Sequence, residues 1–282
     1  MKVGVALGGG GVRGLTHAMA LEVIESCGIT PHMISGTSMG AIIGALFASG
    51  ISGKEIREGI EKNVIPDAER VWGLSGRRRE MLRWLSFARP SLSKSGMIHA
   101  GGLLNWLMKD IEVETFEELQ IPLQIMATDF HSGEPHVFSK GPLLPAIQAS
   151  MAIPGIFVPV EHNGRILVDG GLVDNVPYDL LEADCDFTIA IDVSPTRDPD
   201  SVEVPNLLTA TIGMFDILVD EATRLRLLQD PPDIYIRPVI EGIRIFDFEK
   251  IGSLFEQVQP AMDQLRTQIE LALKKQAESE SL

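Results

Sequence analysis

Short apolar runs alternate with segments of helical spacing in the first part of the chain. Lys2–Leu7 is mostly apolar and ends in glycines, as buried parallel strands do. Apolar side chains at helical spacing predict a helix over 12–27, which Gly28 would stop. Met33 and Ile34 predict a second strand, and the apolar run 39–48 predicts a second, buried helix. This rhythm is typical of an α/β fold, with a mostly parallel central sheet and helices on both of its faces.

The rest of the chain continues the pattern. Further strands are predicted at 122–127, 166–168, 187–191 and 234–236. The stretch 251–277 predicts a long amphipathic helix, and we expect the acidic tail 278–282 to be frayed. Because no internal repeat or long linker divides the sequence, we predict a single domain over 1–282.

The uncharged stretch 30–53 raises the alternative of a membrane span, since small residues recur in it every four positions. Polar and turn-forming residues on both sides leave only 39–48 continuously apolar, a length that suits a buried helix of a soluble protein. The opening apolar run is too short for a signal peptide. We therefore expect a cytoplasmic protein, with peripheral membrane contact as a further prospect.

Composition narrows the function. Acidic residues number 39 against 24 basic ones, and the resulting net charge of −15 argues against nucleic acid as the partner. The hydrophobic fraction of 45% excludes a disordered chain. Cys27 and Cys185 have no metal-ligand spacing, so we expect two buried, inert thiols. We predict neither a bound metal nor a cofactor.

A serine stands in the turn between the second predicted strand and the buried helix. In the segment Gly36-Thr37-Ser38-Met39-Gly40, glycine lies two positions before and two positions after the serine. A sharp strand-to-helix turn lifts a serine Oγ clear of the backbone and requires small residues where the chain crosses itself. The helix N-terminus beneath it favours developing negative charge. A tight structural turn is the alternative, but the flanking strand and helix favour a nucleophile.

A second glycine-rich turn, Gly8–Gly14, follows the first predicted strand. Its spacing of glycines at 9, 11 and 14 also occurs in dinucleotide-binding loops, which need an acidic residue at the end of the second strand. The nearest acid, Glu25, lies instead in the first predicted helix. The alternative is an anion-binding turn whose backbone N–H groups stabilise an oxyanion. Two glycine-rich turns at the ends of successive strands should face one another, which favours an oxyanion hole beside Ser38.

The histidines make weak candidates for the base that a serine nucleophile requires. None follows His162 in the chain, whereas the α/β-hydrolase order places the histidine late. We expect His17 to pack on its helix, and His131 and His136 to lie on a turn.

Asp169 is the preferred base. It directly follows the predicted strand 166–168, at the end of the strand where open α/β sheets bind ligands. Taken alone, an Asp-Gly turn without a function would explain this residue equally well.

Together, these segments resemble the blocks of the patatin-like phospholipase family. The three catalytic blocks are Gly9-Gly10-Gly11-Val12-Arg13-Gly14, Gly36-Thr37-Ser38-Met39-Gly40 and Asp169-Gly170-Gly171, and two further blocks are Ala149–Pro154 and Asn175-Val176-Pro177. The resemblance covers roughly residues 2–192. One departure is Gly8, where plant members carry aspartate.

The resemblance implies a three-layer α/β/α fold that cleaves acyl esters of lipids through a Ser–Asp dyad. Ser38 would be the nucleophile and Asp169 the base. The backbone N–H groups of Gly9, Gly10, Gly11, Val12 and Arg13 would form the oxyanion hole, and Gly14, Gly36, Gly40, Gly170 and Gly171 complete the motifs. For Arg13, we favour anchoring of the loop over contact with an anionic head group. Burial should raise the pKa of Asp169 above its ordinary value near ~4, because a base with that value is weak.

Two classes of function therefore stand against each other. The leading hypothesis is a serine acyl-ester hydrolase acting on (lyso)phospholipids or related lipids. The rival is a nucleotide- or anion-binding module that uses the first glycine-rich turn, with Ser38 structural. A catalytically idle scaffold is disfavoured because no residue of the constellation is missing.

The segment 70–94 is basic within an acidic chain. It holds seven arginines or lysines against the single acid Glu80, interleaved with Trp72, Trp84 and other apolar residues. Such a mixture is typical of a segment that contacts anionic lipid, although an ordinary amphipathic helix explains it nearly as well. We predict a lid over Ser38, at about 70–95, that docks on membranes.

Overall fold

The computed structural model describes residues 1–64 and 113–280, apart from Asp198, Ser201 and Glu203. The predicted segment 70–95 lies outside these residues. The strands are β1 (Val3–Leu7), β2 (Met33–Thr37), β3 (Leu123–Asp129), β4 (Pro135–Phe138), β5 (Val160–His162), β6 (Arg165–Asp169), β7 (Phe187–Ile191) and β8 (Ile234–Ile236). The helices are α1 (His17–Ser26), α2 (Met39–Ala48), α3 (Gly53–Val64), α4 (Leu143–Ser150), α5 (Leu207–Gln229) and α6 (Ile251–Glu280).

All eight strands belong to one sheet. Its path runs β5-β6-β3-β2-β1-β7-β8, and β4 pairs with β3 beside that path. Five neighbouring strands are mutually parallel, in the order β3, β2, β1, β7 and β8. β4 and β6 pair antiparallel with β3, and β5 pairs antiparallel with β6. The predicted α/β fold with a mostly parallel sheet is confirmed.

The two faces of the sheet carry side chains of different size. On β1, Val3, Val5 and Leu7 face the main core, which also contains residues of α1, α2, α4 and α6. Ala6 faces the opposite side, where it packs with the segment 176–181 and with Leu227 of α5. Because successive strand residues point to opposite faces, this alternation places helical layers on both sides.

The predicted buried helix is confirmed as α2, which spans Met39–Ala48 with every residue buried. Among the described residues, no helix is long and apolar enough to cross a membrane.

The register on β3 brings β2 and β6 together end to end. Met126 pairs with Thr37 of β2, and the next residue, Ala127, pairs both with His136 of β4 and with Asp169 of β6. Because β4 pairs with residues 125–128 of β3, which overlap the pairings of both β2 and β6, these two strands must share the other edge of β3. The last residue of β6 therefore lies beside the last residue of β2, from opposite directions.

Several expectations from the sequence need correction. The helix predicted over 12–27 is a 3-10 helix at Gly11–Thr16 followed by α1, because the first turn must pass close to α2: a Cβ on Gly14 would lie 2.6 Å from the Cβ of Met39. His136 lies on β4 rather than on the turn, since it pairs with Ala127.

Two smaller corrections concern the tail and the thiols. The last helix continues into the predicted frayed tail, as far as Glu280. Cys27 and Cys185 are free but only half-buried, and burial raises the pKa of the Cys185 thiol.

Candidate active site

The turn from β2 into α2 holds Ser38 in a strained backbone conformation. Its φ is +53° and its ψ is −118°, in a region that residues with a side chain rarely adopt. Gly40 lets the chain cross itself here, because a Cβ at this position would overlap the carbonyl of Leu7. Gly36 is equally confined, with a Cβ position 2.7 Å from the carbonyl oxygen of Gly40. This is the geometry of a serine lifted out of its turn.

Ser38 occupies the N-cap of α2, yet its hydroxyl makes no capping hydrogen bond. A serine at this position ordinarily accepts a hydrogen bond from the first helical turn. Its backbone N–H instead donates to the Oγ of Ser150, at the end of α4, over 2.8 Å. The backbone is thereby held by a neighbouring helix, and the hydroxyl is left to other partners. Ser150 belongs to the block Ala149–Pro154 noted in the sequence, but no sequence pattern predicted its hydrogen bond to the backbone of Ser38.

Asp169 ends β6 with its carboxyl facing Ser38. It is 2% exposed, and its Oδ1 accepts a hydrogen bond of 2.8 Å from the N–H of Gly171. Burial raises the pKa of Asp169 to about 7, although hydrogen bonds from Gly171 and from the Ser38 side chain lower it in part. The expected rise is confirmed, and a carboxylate with this pKa is a competent base near neutral pH.

Some backbone N–H groups of the glycine loop after β1 donate hydrogen bonds within the protein, and others do not. Gly9 N–H donates to the carbonyl of Asn175 (3.1 Å), Val12 N–H to that of Ile245 (3.0 Å) and Arg13 N–H to that of Gly10 (3.3 Å). Within the described part of the chain, the N–H groups of Gly10 and Gly11 have no such acceptor. Of the five predicted oxyanion donors, these two are therefore available to a substrate.

Arg13 makes contacts typical of an anchor. It is 2% exposed; its Nε donates to the carbonyl of Val193 over 3.1 Å, and its guanidinium lies 3.6 Å from the Asp216 carboxylate of α5. A second hydrogen bond joins the guanidinium to the carbonyl of Ile243 over 3.4 Å. With these donors used inside the protein, Arg13 ties the loop to Val193, just after β7, and to α5.

His17 supports the loop from below and is not placed to act as a base. It is fully buried, and its Nε2 donates to the carbonyl of Gly8 over 2.7 Å. Burial lowers the pKa of His17 to about 4, so the ring is neutral at physiological pH. Of the histidines that the structure describes, none lines the cleft at Ser38, and His99 lies outside the described residues.

The segment that follows Asp169 contacts both the end of β2 and α5. The carbonyl of Asp174 accepts a hydrogen bond of 2.9 Å from the hydroxyl of Thr37, the residue before Ser38. The Asp174 carboxylate lies 2.9 Å from Arg226 of α5, while burial and the neighbouring Asp179 raise its pKa to about 8. This segment therefore couples α5 to the end of β2.

A narrow cleft opens in front of Ser38 and Asp169, with α5 forming one of its walls. Phe215 and Val219 of α5 line the cleft together with Ile153 and Ile245. The sequence did not indicate this part of the site, because α5 lies beyond the family blocks. Among the described residues, no group of three or more His, Cys, Asp or Glu side chains is placed to hold a metal ion.

Comparison with known proteins places the chain in a family. Residues 5–182 match the family described as patatin-like phospholipase. An uncharacterised NTE family protein of Mycobacterium tuberculosis is 33% identical over 226 residues, covering 77% of this chain and 58% of that protein. Lysophospholipase NTE1 of Saccharomyces cerevisiae is 26% identical over 277 residues, covering 90% of this chain and 16% of the yeast protein.

The chain thus spans little more than half of the mycobacterial relative and a small part of the yeast one. Among solved structures, VipD from Legionella pneumophila aligns with a TM-score of 0.49 at 15% identity, over 93% of this chain and 67% of that chain. The match to the patatin-like phospholipase family over residues 5–182, more than half of the chain, identifies the chain as a member of that family.

Proposed function

We propose that this protein is a serine acyl-ester hydrolase that cleaves fatty-acyl esters of (lyso)phospholipids or related lipids. The observation that carries the proposal is the pairing of Ser38, strained and uncapped, with Asp169, whose buried carboxyl has a pKa of about 7. Membership of the patatin-like phospholipase family and the similarity to a yeast lysophospholipase support a lipid ester as the substrate. No metal or cofactor enters the mechanism.

Acylation begins with proton transfer from the Ser38 hydroxyl to the Asp169 carboxylate while Oγ attacks the ester carbonyl carbon. The carbonyl oxygen becomes an oxyanion in the tetrahedral intermediate, where the N–H groups of Gly10 and Gly11 stabilise it. When the intermediate collapses, the bond to the leaving alkoxide breaks and Asp169 returns its proton to that oxygen. The products of this half-reaction are an alcohol and acyl-Ser38.

Deacylation repeats the sequence with water as the nucleophile, and Asp169 passes the water proton to Ser38 Oγ as the fatty acid leaves. A single carboxyl group thus serves as base and acid in turn. Because an alkoxide leaves with less protonation than an amine requires, we expect esterase activity to exceed amidase activity by a wide margin.

The cleft walls bear on the choice of substrate. Phe215, Val219, Ile153 and Ile245 form the apolar part of a lining that also includes Arg13, Asn175, Ser194 and Asp216. We take this apolar part to favour an acyl chain over a sugar or a nucleotide. We propose peripheral membrane contact through 70–94 on charge pattern alone, in a protein that works in the cytoplasm or at the membrane surface.

A fluorophosphonate probe tests the nucleophile. It should label the wild type at one site, which peptide mapping assigns to Ser38, and Ser38→Ala should take up no probe. Ser38→Ala and Asp169→Asn should each abolish hydrolysis of a short p-nitrophenyl ester, and the double variant should be barely worse than either, since the two residues act as a unit. Ser253→Ala, an exposed serine on α6, is the matched control and should behave as wild type.

The rival binding module gives the opposite result in the same experiment. Under that hypothesis Ser38 takes up no probe and ester turnover stays at background in the wild type. Turnover retained by Asp169→Asn would remove the aspartate as the base, even if Ser38 were labelled.

A further inference from the structure

Asn175 makes two hydrogen bonds to Gly9 in the glycine loop. Its backbone carbonyl accepts the N–H of Gly9 over 3.1 Å, and its side-chain Nδ2 donates to the carbonyl of Gly9 over 3.2 Å. The residue is only 6% exposed, so water competes poorly for these bonds. Both hydrogen-bonding groups of Gly9 are therefore held by a single partner.

Because the peptide bond is planar, the hydrogen bond to the Gly9 carbonyl also orients the N–H of Gly10. The carbonyl of Gly9 and the N–H of Gly10 belong to the same rigid, trans peptide unit and point in opposite directions. A hydrogen bond that fixes the Gly9 oxygen therefore fixes the direction of the Gly10 N–H. That N–H is one of the two in the loop that stay available to a substrate.

Close packing of Gly9 fixes its position relative to the nucleophile. A Cβ on Gly9 would lie 2.7 Å from Asn175 Oδ1 and 3.2 Å from Ser38 Cβ, so the loop packs directly against both residues and leaves no room for a side chain. Gly11 is fixed by a similar route, because the Gly10 carbonyl in its peptide unit accepts the N–H of Arg13.

We propose that Asn175 is a positioning residue for the oxyanion hole, which acts by orienting the N–H of Gly10 toward the developing oxyanion. This inference rests on the proposed esterase function and deepens it. The same short segment supplies the base, Asp169, and the acceptor for Thr37, the residue before the nucleophile. One piece of chain thus sets the relative positions of base, nucleophile and oxyanion donor.

The decisive variant is Asn175→Ala, which removes the Nδ2 donor and keeps the backbone carbonyl that holds Gly9 N–H. Asn175→Asp is the second variant, because it keeps the side-chain volume while replacing the donor by an acceptor. Asn163→Asp makes the same chemical change at an exposed turn and serves as control. Each protein is first titrated with a fluorophosphonate to its end point, so that kcat is expressed per reactive serine.

We expect Asn175→Ala to lower kcat about 10- to 100-fold with little change in KM, as displacement of an oxyanion donor does. Affinity for a trifluoromethyl ketone, which forms a tetrahedral oxyanion adduct with the serine, should fall by the same factor as kcat/KM. The pH at which kcat/KM reaches half its maximum should stay near that of the wild type, because Asp169 keeps its surroundings. Asn175→Asp should lose kcat as well and shift this midpoint upward.

Two outcomes would overturn the inference. One is a kcat per reactive serine within twofold of wild type for either folded variant. The other is a loss of kcat without a matching loss of ketone affinity, which would assign Asn175 a purely structural role. Failure of the proposed function looks different, because the wild type itself would then be neither labelled nor active.

Discussion

The residues at the centre of the site are held in states that cost stability. Ser38 has a positive φ that costs of the order of 1–3 kcal/mol for a residue with a side chain. Asp169 and Asp174 are buried carboxyl groups whose pKa values are raised to about 7 and about 8. Such groups persist because the surrounding sheet and α5 fix them, and buried carboxyl groups with raised pKa values are concentrated at functional sites.

With Asp169 as the proposed base, its pKa predicts the pH dependence of catalysis. The carboxylate must be unprotonated to accept the Ser38 proton, so activity is lost as pH falls through the pKa of about 7. We expect kcat/KM for a neutral p-nitrophenyl ester to fall about tenfold per pH unit below 7 and to level off above it. A profile that stays flat down to pH 5 would contradict the assignment, since it would require a base with the ordinary pKa of 3.8.

The same shift predicts that Asp169→Asn stabilises the fold at alkaline pH. Between pH 3.8 and about 7, the native state keeps a proton that the unfolded chain releases, so the free energy of unfolding decreases as pH rises. Above pH 7 this loss is complete, and it amounts to at most roughly 4 kcal/mol. The melting temperature of Asp169→Asn should therefore exceed that of wild type at pH 8, and the two should converge near pH 4.

Asp263→Asn, an exposed position on α6, controls for the general effect of removing a negative charge. If Asp169→Asn melts at or below the wild-type temperature at pH 8, the carboxylate is not a source of strain.

At the scale of elements, close packing against neighbouring segments constrains the path of the glycine loop. A Cβ on Gly10 would lie 2.7 Å from a methyl group of Val193 and 3.2 Å from its carbonyl oxygen, and Val193 is fully buried. Gly10→Ala should therefore displace the loop by a few tenths of an ångström and lower kcat on the order of 10²-fold, with little effect on KM. Gly252→Ala on α6, where a Cβ meets nothing within 4 Å, is the control. An unchanged kcat for Gly10→Ala would leave the loop a role in the fold alone.

The sequence predicted those elements whose signals are local. The apolar run 39–48 gave the bounds of α2, because a fully buried helix needs apolar residues on all sides. The position of Asp169 at the end of a strand was also predicted, but the direction of β6 was not. Its meeting with β2 depends on register along β3, between residues far apart in the chain.

α5 escaped prediction for a related reason. Its inner residues Phe215 and Val219 face the cleft, while Met214, Ile217 and Leu218 are exposed, so no clean amphipathic period marks the helix. Its ion pairs, Arg13 with Asp216 and Arg226 with Asp174, join residues distant in sequence. Contacts of this kind leave no local pattern.

At the scale of the whole molecule, charge is unevenly distributed along the chain. The net charge is −15, yet residues 70–94 carry seven basic side chains and one acidic one. An acidic protein is repelled by an anionic membrane at long range, so a local basic segment would have to provide the attraction. An experiment on lipid binding must therefore change the basic charges of this segment and the net charge of the protein in separate variants.

Replacing Arg77, Arg78 and Arg79 by Gln tests the segment. Each basic side chain near an anionic surface contributes about 1 kcal/mol, so the three changes should weaken binding to anionic vesicles on the order of 100-fold at low salt. The control replaces Lys54, Lys140 and Lys274, which are exposed and lie elsewhere, by Gln and so changes the net charge equally. Co-sedimentation with and without anionic lipid should show loss for the arginine variant alone, and wild-type binding should fall steeply with salt. Equal sedimentation of wild type and arginine variant would remove lipid contact from this segment, while equal losses in both triple variants would assign the attraction to net charge.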